Sequence, residues 1–128
     1  MRARIALIAI CLSTSPSLAQ EAQKQPNRLP PAEAGRRFGE AAGAALLCYG
    51  LRIRTDQMAE LRSRYQGDAL TEFDERAAKT LQAWQATKTC EHANGPNECK
   101  VSQQWSCLQA VHEVGPGGNA VPGLVELK

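Results

Sequence analysis

The chain has 128 residues, of which 43% are hydrophobic and 22% charged, and its formal net charge at pH 7 is +2. This length predicts one small domain, and the small net charge gives no electrostatic basis for binding nucleic acid. No apolar stretch reaches the roughly 20 residues that cross a bilayer as a helix, so a membrane-spanning segment is not expected.

Residues 1–19 have the three parts of a cleavable secretory signal peptide. A short basic segment with Arg2 and Arg4 precedes the apolar run 5–12, and small residues precede a cleavage site after Ala19. We therefore expect a periplasmic or secreted protein. Cleavage would remove two arginines and no acidic residue, so the mature chain would carry equal numbers of basic and acidic side chains.

Residues 20–31 are polar and rich in proline, which predicts a flexible lead-in. Residues 32–66 then have the spacing of a helix. Within them, glycine recurs at every fourth position on one helix face: Gly35, Gly39 and Gly43. This face predicts a groove where a second helix approaches closely, and it is a candidate contact for a homodimer. Gly50 is a point at which the helix can bend or divide.

A second helix is predicted from about Asp68 to Lys88, because an apolar stripe recurs at helical spacing: Leu70, Phe73, Ala77, Leu81 and Trp84. A third helix is predicted from Glu98 to about Val114, with four residues on one face: Val101, Trp105, Leu108 and His112. We expect both tryptophans to pack in the core rather than to form a ligand platform.

These elements predict an all-α fold, a small bundle of about three helices in residues 32–114 with flexible tails at both ends. The tail 115–128 contains glycine and proline and is too short to define an element. Two alternatives remain for it. It is either disordered or packed on the bundle through Val121, Leu124 and Val125.

Four cysteines follow the signal peptide: Cys48, Cys90, Cys99 and Cys107. An even number in a short exported domain predicts two structural disulfides. A bond between Cys99 and Cys107 is disfavoured, because eight residues of helix place them about 12 Å apart and a disulfide needs Cα atoms within about 7 Å. Cys48–Cys107 with Cys90–Cys99 is the favoured pairing, and Cys48–Cys99 with Cys90–Cys107 remains open. The spacings match neither a redox motif nor a zinc site, so no metal or cofactor is expected.

No spacing of nucleophile, base and acid matches a catalytic motif, so we expect a non-enzymatic protein. A deep polar pocket containing Glu40, Glu60 or His112 would favour an enzyme instead.

Two features are candidates for partner binding. Four arginines lie within residues 52–64: Arg52, Arg54, Arg62 and Arg64. Guanidinium groups suit carboxylates and phosphates, and the alternative is a solvated helix face with local ion pairs. The second feature is the loop that a Cys90–Cys99 bond would close, which contains His92 and Asn94.

The expected function is that of an exported binding protein that inhibits or regulates an envelope enzyme, such as a lysozyme-like peptidoglycan hydrolase. A rigid, cross-linked domain loses little conformational entropy when it docks on a partner. Two alternatives remain open. One is an acid-stress periplasmic holdase chaperone, and the other is an accessory or immunity component of an envelope machine.

Overall fold

The computed structural model describes residues 28–88, 90 and 96–128. In chain order, its elements are α1 (Pro31–Leu47), β1 (Leu51–Ile53), α2 (Thr55–Ser63), α3 (Gly67–Ala86), α4 (Pro96–Val114) and β2 (Val125–Leu127). The predicted helical fold is confirmed, with one more helix than expected and a small two-stranded sheet. Within the described ranges, no helix is long and apolar enough to cross a membrane. The predicted signal peptide, and the lead-in up to residue 27, lie outside the described residues.

The glycine face of α1 packs directly on α3. Positions at which an added Cβ atom would overlap α3 recur at every fourth residue: Gly35, Gly39 and Gly43. The first two meet the backbone carbonyls of Phe73 and Ala77, and the third meets the side chain of Trp84, which is partly buried against the core as predicted. The predicted close helix approach is therefore present within one chain. Because α3 covers this face, a homodimer formed through the same glycines is not supported.

The predicted helix 32–66 is divided at the point that Gly50 allowed. α1 ends at Leu47, Gly50 has a left-handed φ of +82°, and β1 follows in place of a continued helix. The spacing of apolar residues within this segment does not predict the strand, because the strand that pairs with it, β2, lies near the C-terminus. Four large apolar side chains of the segment are nevertheless buried in the core: Leu51, Met58, Leu61 and Tyr65.

The C-terminal residues pack on the bundle through an antiparallel pair of strands. In β1 and β2, Leu51 lies opposite Leu127, and Ile53 lies opposite Val125. Leu124 and Val125 are fully buried. Of the two alternatives for residues 115–128, packing on the bundle is the one observed.

Three aromatic side chains form the centre of the core. The Phe73 ring is 5.3 Å from that of Phe38 and 5.2 Å from that of Tyr65, measured between centroids. The Tyr65 hydroxyl donates a hydrogen bond of 2.6 Å to the carbonyl of Leu29, and the guanidinium of Arg28 lies 4.4 Å from the Tyr65 ring centroid. The residues before α1 are thereby attached to the core.

The favoured disulfide pairing is confirmed. Cys48 is bonded to Cys107 with Cα atoms 5.7 Å apart, and Cys90 is bonded to Cys99 with Cα atoms 5.5 Å apart. The first bond joins the end of α1 to α4. Two structural disulfides are typical of extracytoplasmic proteins.

We expect Gly39→Ala to lower the free energy of unfolding by about 2 kcal/mol, because overpacking of this kind costs about 1–3 kcal/mol. The added Cβ atom would overlap the carbonyl oxygen of Ala77 and the side chain of Thr80. Helix propensity alone favours alanine over glycine by about 1 kcal/mol. A loss of stability in this variant would therefore come from the contact between α1 and α3. Urea unfolding followed by circular dichroism measures the change, and increased stability would contradict the close packing of α1 on α3.

The two disulfides should contribute unequally, because they join residues that are 59 and 9 positions apart in sequence. The chain entropy that a cross-link removes from the unfolded state grows with the length of the closed loop. We expect loss of Cys48–Cys107 to cost about 4 kcal/mol and loss of Cys90–Cys99 about 3 kcal/mol. Paired serine variants, compared with the oxidised protein by urea unfolding, test the order, and an equal or reversed loss would disprove it.

Candidate functional site

The apolar face predicted for the last helix is exposed. Val101, Trp105 and Leu108 of α4 are 51%, 68% and 63% exposed, respectively. α4 packs on α1 through its opposite side, where Ala110 and Val114 are fully buried. The prediction that Trp105 packs in the core is therefore wrong, because the helix turns its small residues, and not its largest ones, toward α1.

An open groove of about 520 Å³ lies between α4, the end of α1 and the C-terminal strand. We call it the apolar groove. The Cys48–Cys107 disulfide lines it together with Tyr49, Leu108 and Leu127, all three of which are exposed. Among the described residues no charged side chain lines this groove, and its polar side chains are Tyr49, Gln103 and Gln104.

A second cavity, of about 430 Å³, lies above α1. α3 and α4 both pack on α1 and contact each other little, so the space between them stays open. We call this space the polar cleft. Charged side chains from all three helices line it: Arg36 and Glu40 from α1, Arg76 and Lys79 from α3, and Glu113 from α4.

A buried ion-pair network supports the polar cleft from α1. The Nη1 of Arg37 donates to Glu40 at 2.9 Å and to Glu113 at 2.6 Å, and its Nε donates to Glu33 at 2.9 Å. Arg37 and Glu40 are only 9% and 7% exposed. Buried charges are costly unless they are paired, and no buried side-chain nitrogen or oxygen in the described part of the chain lacks a hydrogen-bond partner.

Sequence reasoning singled out only Glu40 from this network. Arg37 lies three residues after Ala34 and four before Ala41, both fully buried, so it occupies a core-facing position of α1. A charged residue at such a position is the local signal that indicates a buried partner. Glu113 is 76 residues away in sequence and gives no comparable signal.

The two carboxyl groups of the cleft have opposite pKa shifts. Burial, together with a hydrogen bond to Glu113, raises the pKa of Glu40 to about 7. Hydrogen bonds from Glu40, Gln109 and Arg37 lower the pKa of Glu113. Both carboxyl groups contact the same Nη1 atom of Arg37, so they lie close together, and the opposite pKa shifts favour protonation of Glu40 before Glu113.

The polar cleft contains one of the three residues that would favour an enzyme. Glu40 lines the cleft, whereas Glu60 and His112 are exposed and do not. Glu40 and Glu113 both accept hydrogen bonds from the guanidinium of Arg37, so the neutralisation of this buried cation accounts for their positions. Among the described residues, no group of three His, Cys, Asp or Glu side chains is placed to hold a metal ion.

The four arginines predicted to bind a partner all form ion pairs within the chain: Arg52 with Glu126, Arg54 with Asp56, Arg62 with Asp74 and Arg64 with Glu60. These pairs are exposed and correspond to the local ion pairs of the alternative interpretation. The first two arginines lie at β1, and the other two lie at the end of α2. A role in partner binding stays a prediction. His92 and Asn94 lie outside the described residues.

No protein-family model, curated protein or solved structure matches this chain. Its function is therefore inferred from its own sequence and geometry.

We expect the stability of the protein to depend on the protonation of Glu40. The pKa of this carboxyl is about 7 in the folded chain against an ordinary 4.5, so its contribution is complete below pH 4.5 and is lost as the pH rises through about 7. The Glu40→Gln variant stays neutral at every pH. It should therefore gain about 2 kcal/mol relative to the wild-type protein between pH 5 and pH 8.

Urea unfolding at pH 5, 6.5 and 8 measures this difference. Glu72→Gln, on the exposed surface of α3, is the control for the loss of one carboxylate. A difference between the wild-type and Glu40→Gln proteins that is constant with pH would show that Glu40 is not the titrating group.

Proposed function

We propose that this chain is an exported, non-enzymatic binding protein that inhibits or regulates an envelope enzyme such as a peptidoglycan hydrolase. The observation that carries the proposal is the apolar groove with the exposed face of α4 beside it. Tyr49, Trp105, Leu108 and Leu127 all expose more than half of their surface. Contiguous exposed apolar surface on a small domain commonly marks a protein-interaction site.

The composition of the groove favours a protein partner. The centres of protein interfaces are depleted of charged residues and enriched in aromatic ones, and residues that dominate binding energy are most often Trp, Tyr or Arg. Tyr49 is such a residue in the groove, and Trp105 is another on the exposed face of α4 beside it. Apart from Tyr49, the polar side chains that line the groove are Gln103 and Gln104. The uncharged surface fits a complementary apolar surface on the partner.

The disulfide in the groove supports an inhibitory role. Cys48 and Cys107 hold the end of α1 against α4, so the two sides of the groove cannot separate. A surface that is rigid before binding loses less conformational entropy on binding, which favours tight association. The predicted signal peptide and the two disulfides are consistent with a site of action outside the cytoplasm.

The same feature weighs against the acid-stress holdase alternative. A holdase of that kind would expose apolar surface only after acid has opened its fold. Here Trp105 and Leu108 are exposed while the helices are packed. An immunity or accessory component would use the apolar groove in the same way as an inhibitor, and the identity of its partner would distinguish it.

The experiment uses the purified, oxidised mature domain to capture proteins from an envelope extract, followed by a turbidity assay of the captured hydrolase on peptidoglycan. The Tyr49→Ser/Leu108→Ser double variant removes two exposed side chains of the groove. Gln82→Ser, on the exposed surface of α3, is the matched control. We expect the wild-type protein and the control to slow the hydrolase equally and the double variant to inhibit at least tenfold more weakly, as loss of about 2 kcal/mol at two anchor residues requires.

Three outcomes would contradict the proposal. Equal inhibition by the double variant would exclude the apolar groove as the binding surface. Capture without any effect on enzyme activity would exclude an inhibitor and favour an accessory component. Capture of many unrelated proteins only after acid treatment would favour the holdase.

A further inference from the structure

The polar cleft shares no lining residue with the apolar groove. The ion-pair network around Arg37 accounts for the positions of Glu40 and Glu113 but not for the other side chains that line the cleft. We propose that this cleft is a binding site for a small acidic saccharide, a hydroxylated ring that carries a carboxylate. Its volume of about 430 Å³ lies in the usual range for small-molecule sites, about 300–1,000 Å³. The proposal does not rest on the proposed protein partner.

The mouth of the cleft supplies positive charge. Arg76 and Lys79 are exposed on α3, and neither is in any of the ion pairs formed among the described residues. Arg36 lies across from them on α1, with a partly exposed guanidinium that is bound on one side by Glu33. Guanidinium and ammonium groups that converge on one cavity favour an anion, and a guanidinium fits a carboxylate in particular.

The walls of the cleft supply hydrogen-bond acceptors. The hydroxyls of Thr87 and Ser106 donate to the carbonyls of Trp84 and Ser102, so their oxygens are left to accept hydrogen bonds from a ligand. The side-chain amide of Gln109 donates to Glu113, so its oxygen is likewise left as an acceptor. A matching ligand therefore donates several hydrogen bonds from hydroxyl groups while it carries a negative charge.

One wall of the cleft is aromatic. Trp84 is partly buried and lines the cleft beside Thr80 and Ala83. A tryptophan face suits a flat, partly apolar surface such as the carbon–hydrogen face of a sugar ring. An anion-binding mouth, hydroxyl-matched acceptors and an aromatic wall together select a saccharide acid over a simple anion.

The charged groups around the ligand come from each helix that packs on the cleft. Glu33, Arg36, Arg37 and Glu40 belong to α1, Arg76 and Lys79 to α3, and Glu113 to α4. Protonation of Glu40 removes a negative charge from the floor of the cleft. Binding of the acidic ligand should therefore strengthen as the pH falls through about 7.

The test is a titration of the isotope-labelled, oxidised protein with glucuronic acid, followed by two-dimensional NMR. Glucose is the matched sugar without the carboxylate, and acetate is the matched anion without the ring. We expect saturable shifts at the Trp84 indole N–H and at the amides of Ala83, Thr87 and Gln109 with glucuronic acid, and weaker or no binding with the other two compounds.

The Arg76→Gln/Lys79→Gln double variant should weaken binding of glucuronic acid at least tenfold, because it removes two cations from the mouth of the cleft. Lys128→Gln removes a cation at the end of the C-terminal strand and should change the dissociation constant less than twofold. Equal binding of glucose would show that the carboxylate is not recognised, and equal binding of acetate would reduce the site to a simple anion site. No saturable shift at millimolar glucuronic acid, or no effect of the double variant, would overturn the proposal and leave the inhibitor proposal unaffected.

Discussion

The close contact between α1 and α3 is the constraint on which the rest of the structure depends. Because Gly35, Gly39 and Gly43 have no Cβ atoms, the two helix backbones approach closely enough for α1 to contact backbone carbonyls of α3. Glycine in a helix costs about 1 kcal/mol relative to alanine, and burial of Phe73 between Phe38 and Tyr65 offsets that cost. With one face of α1 used in this way, α4 packs beside α3 rather than on it, and the polar cleft remains between them.

Features with a local cause were predictable from the sequence. The stripe through Phe73 and Ala77 has the period of a helix, and that helix is present. The glycine stripe predicts a closely packed neighbouring helix, because all three glycines lie on one face of α1 and the pattern is contained in that segment alone. The distance that a helix imposes between Cys99 and Cys107 correctly disfavoured a bond between them, whereas the choice between the two remaining pairings was left to the structure.

Features that depend on distant residues were not predictable. β1 is a strand because residues 125–127 pair with it, and three-residue strands carry no alternation of their own. The spacing of Val101, Trp105 and Leu108 defines a helix face but not whether that face meets the core or the solvent. Arg37 gave a local sign of burial, whereas its partner Glu113 became visible only when α1 and α4 were brought together.

The nested arrangement of the disulfides has a consequence for how the protein is made. The inner bond, Cys90–Cys99, lies within the loop that Cys48–Cys107 closes. During synthesis Cys48 is followed first by Cys90, which is not its partner. Oxidation in order of appearance would therefore join the wrong pair. The native bonds therefore form by one of two routes. Either the Cys48 thiol stays reduced until α4 has packed on α1, or thiol–disulfide exchange corrects a first, non-native bond. Correct disulfide pairing thus depends on the order in which the helices pack and the thiols oxidise, and not only on which residues are cysteine.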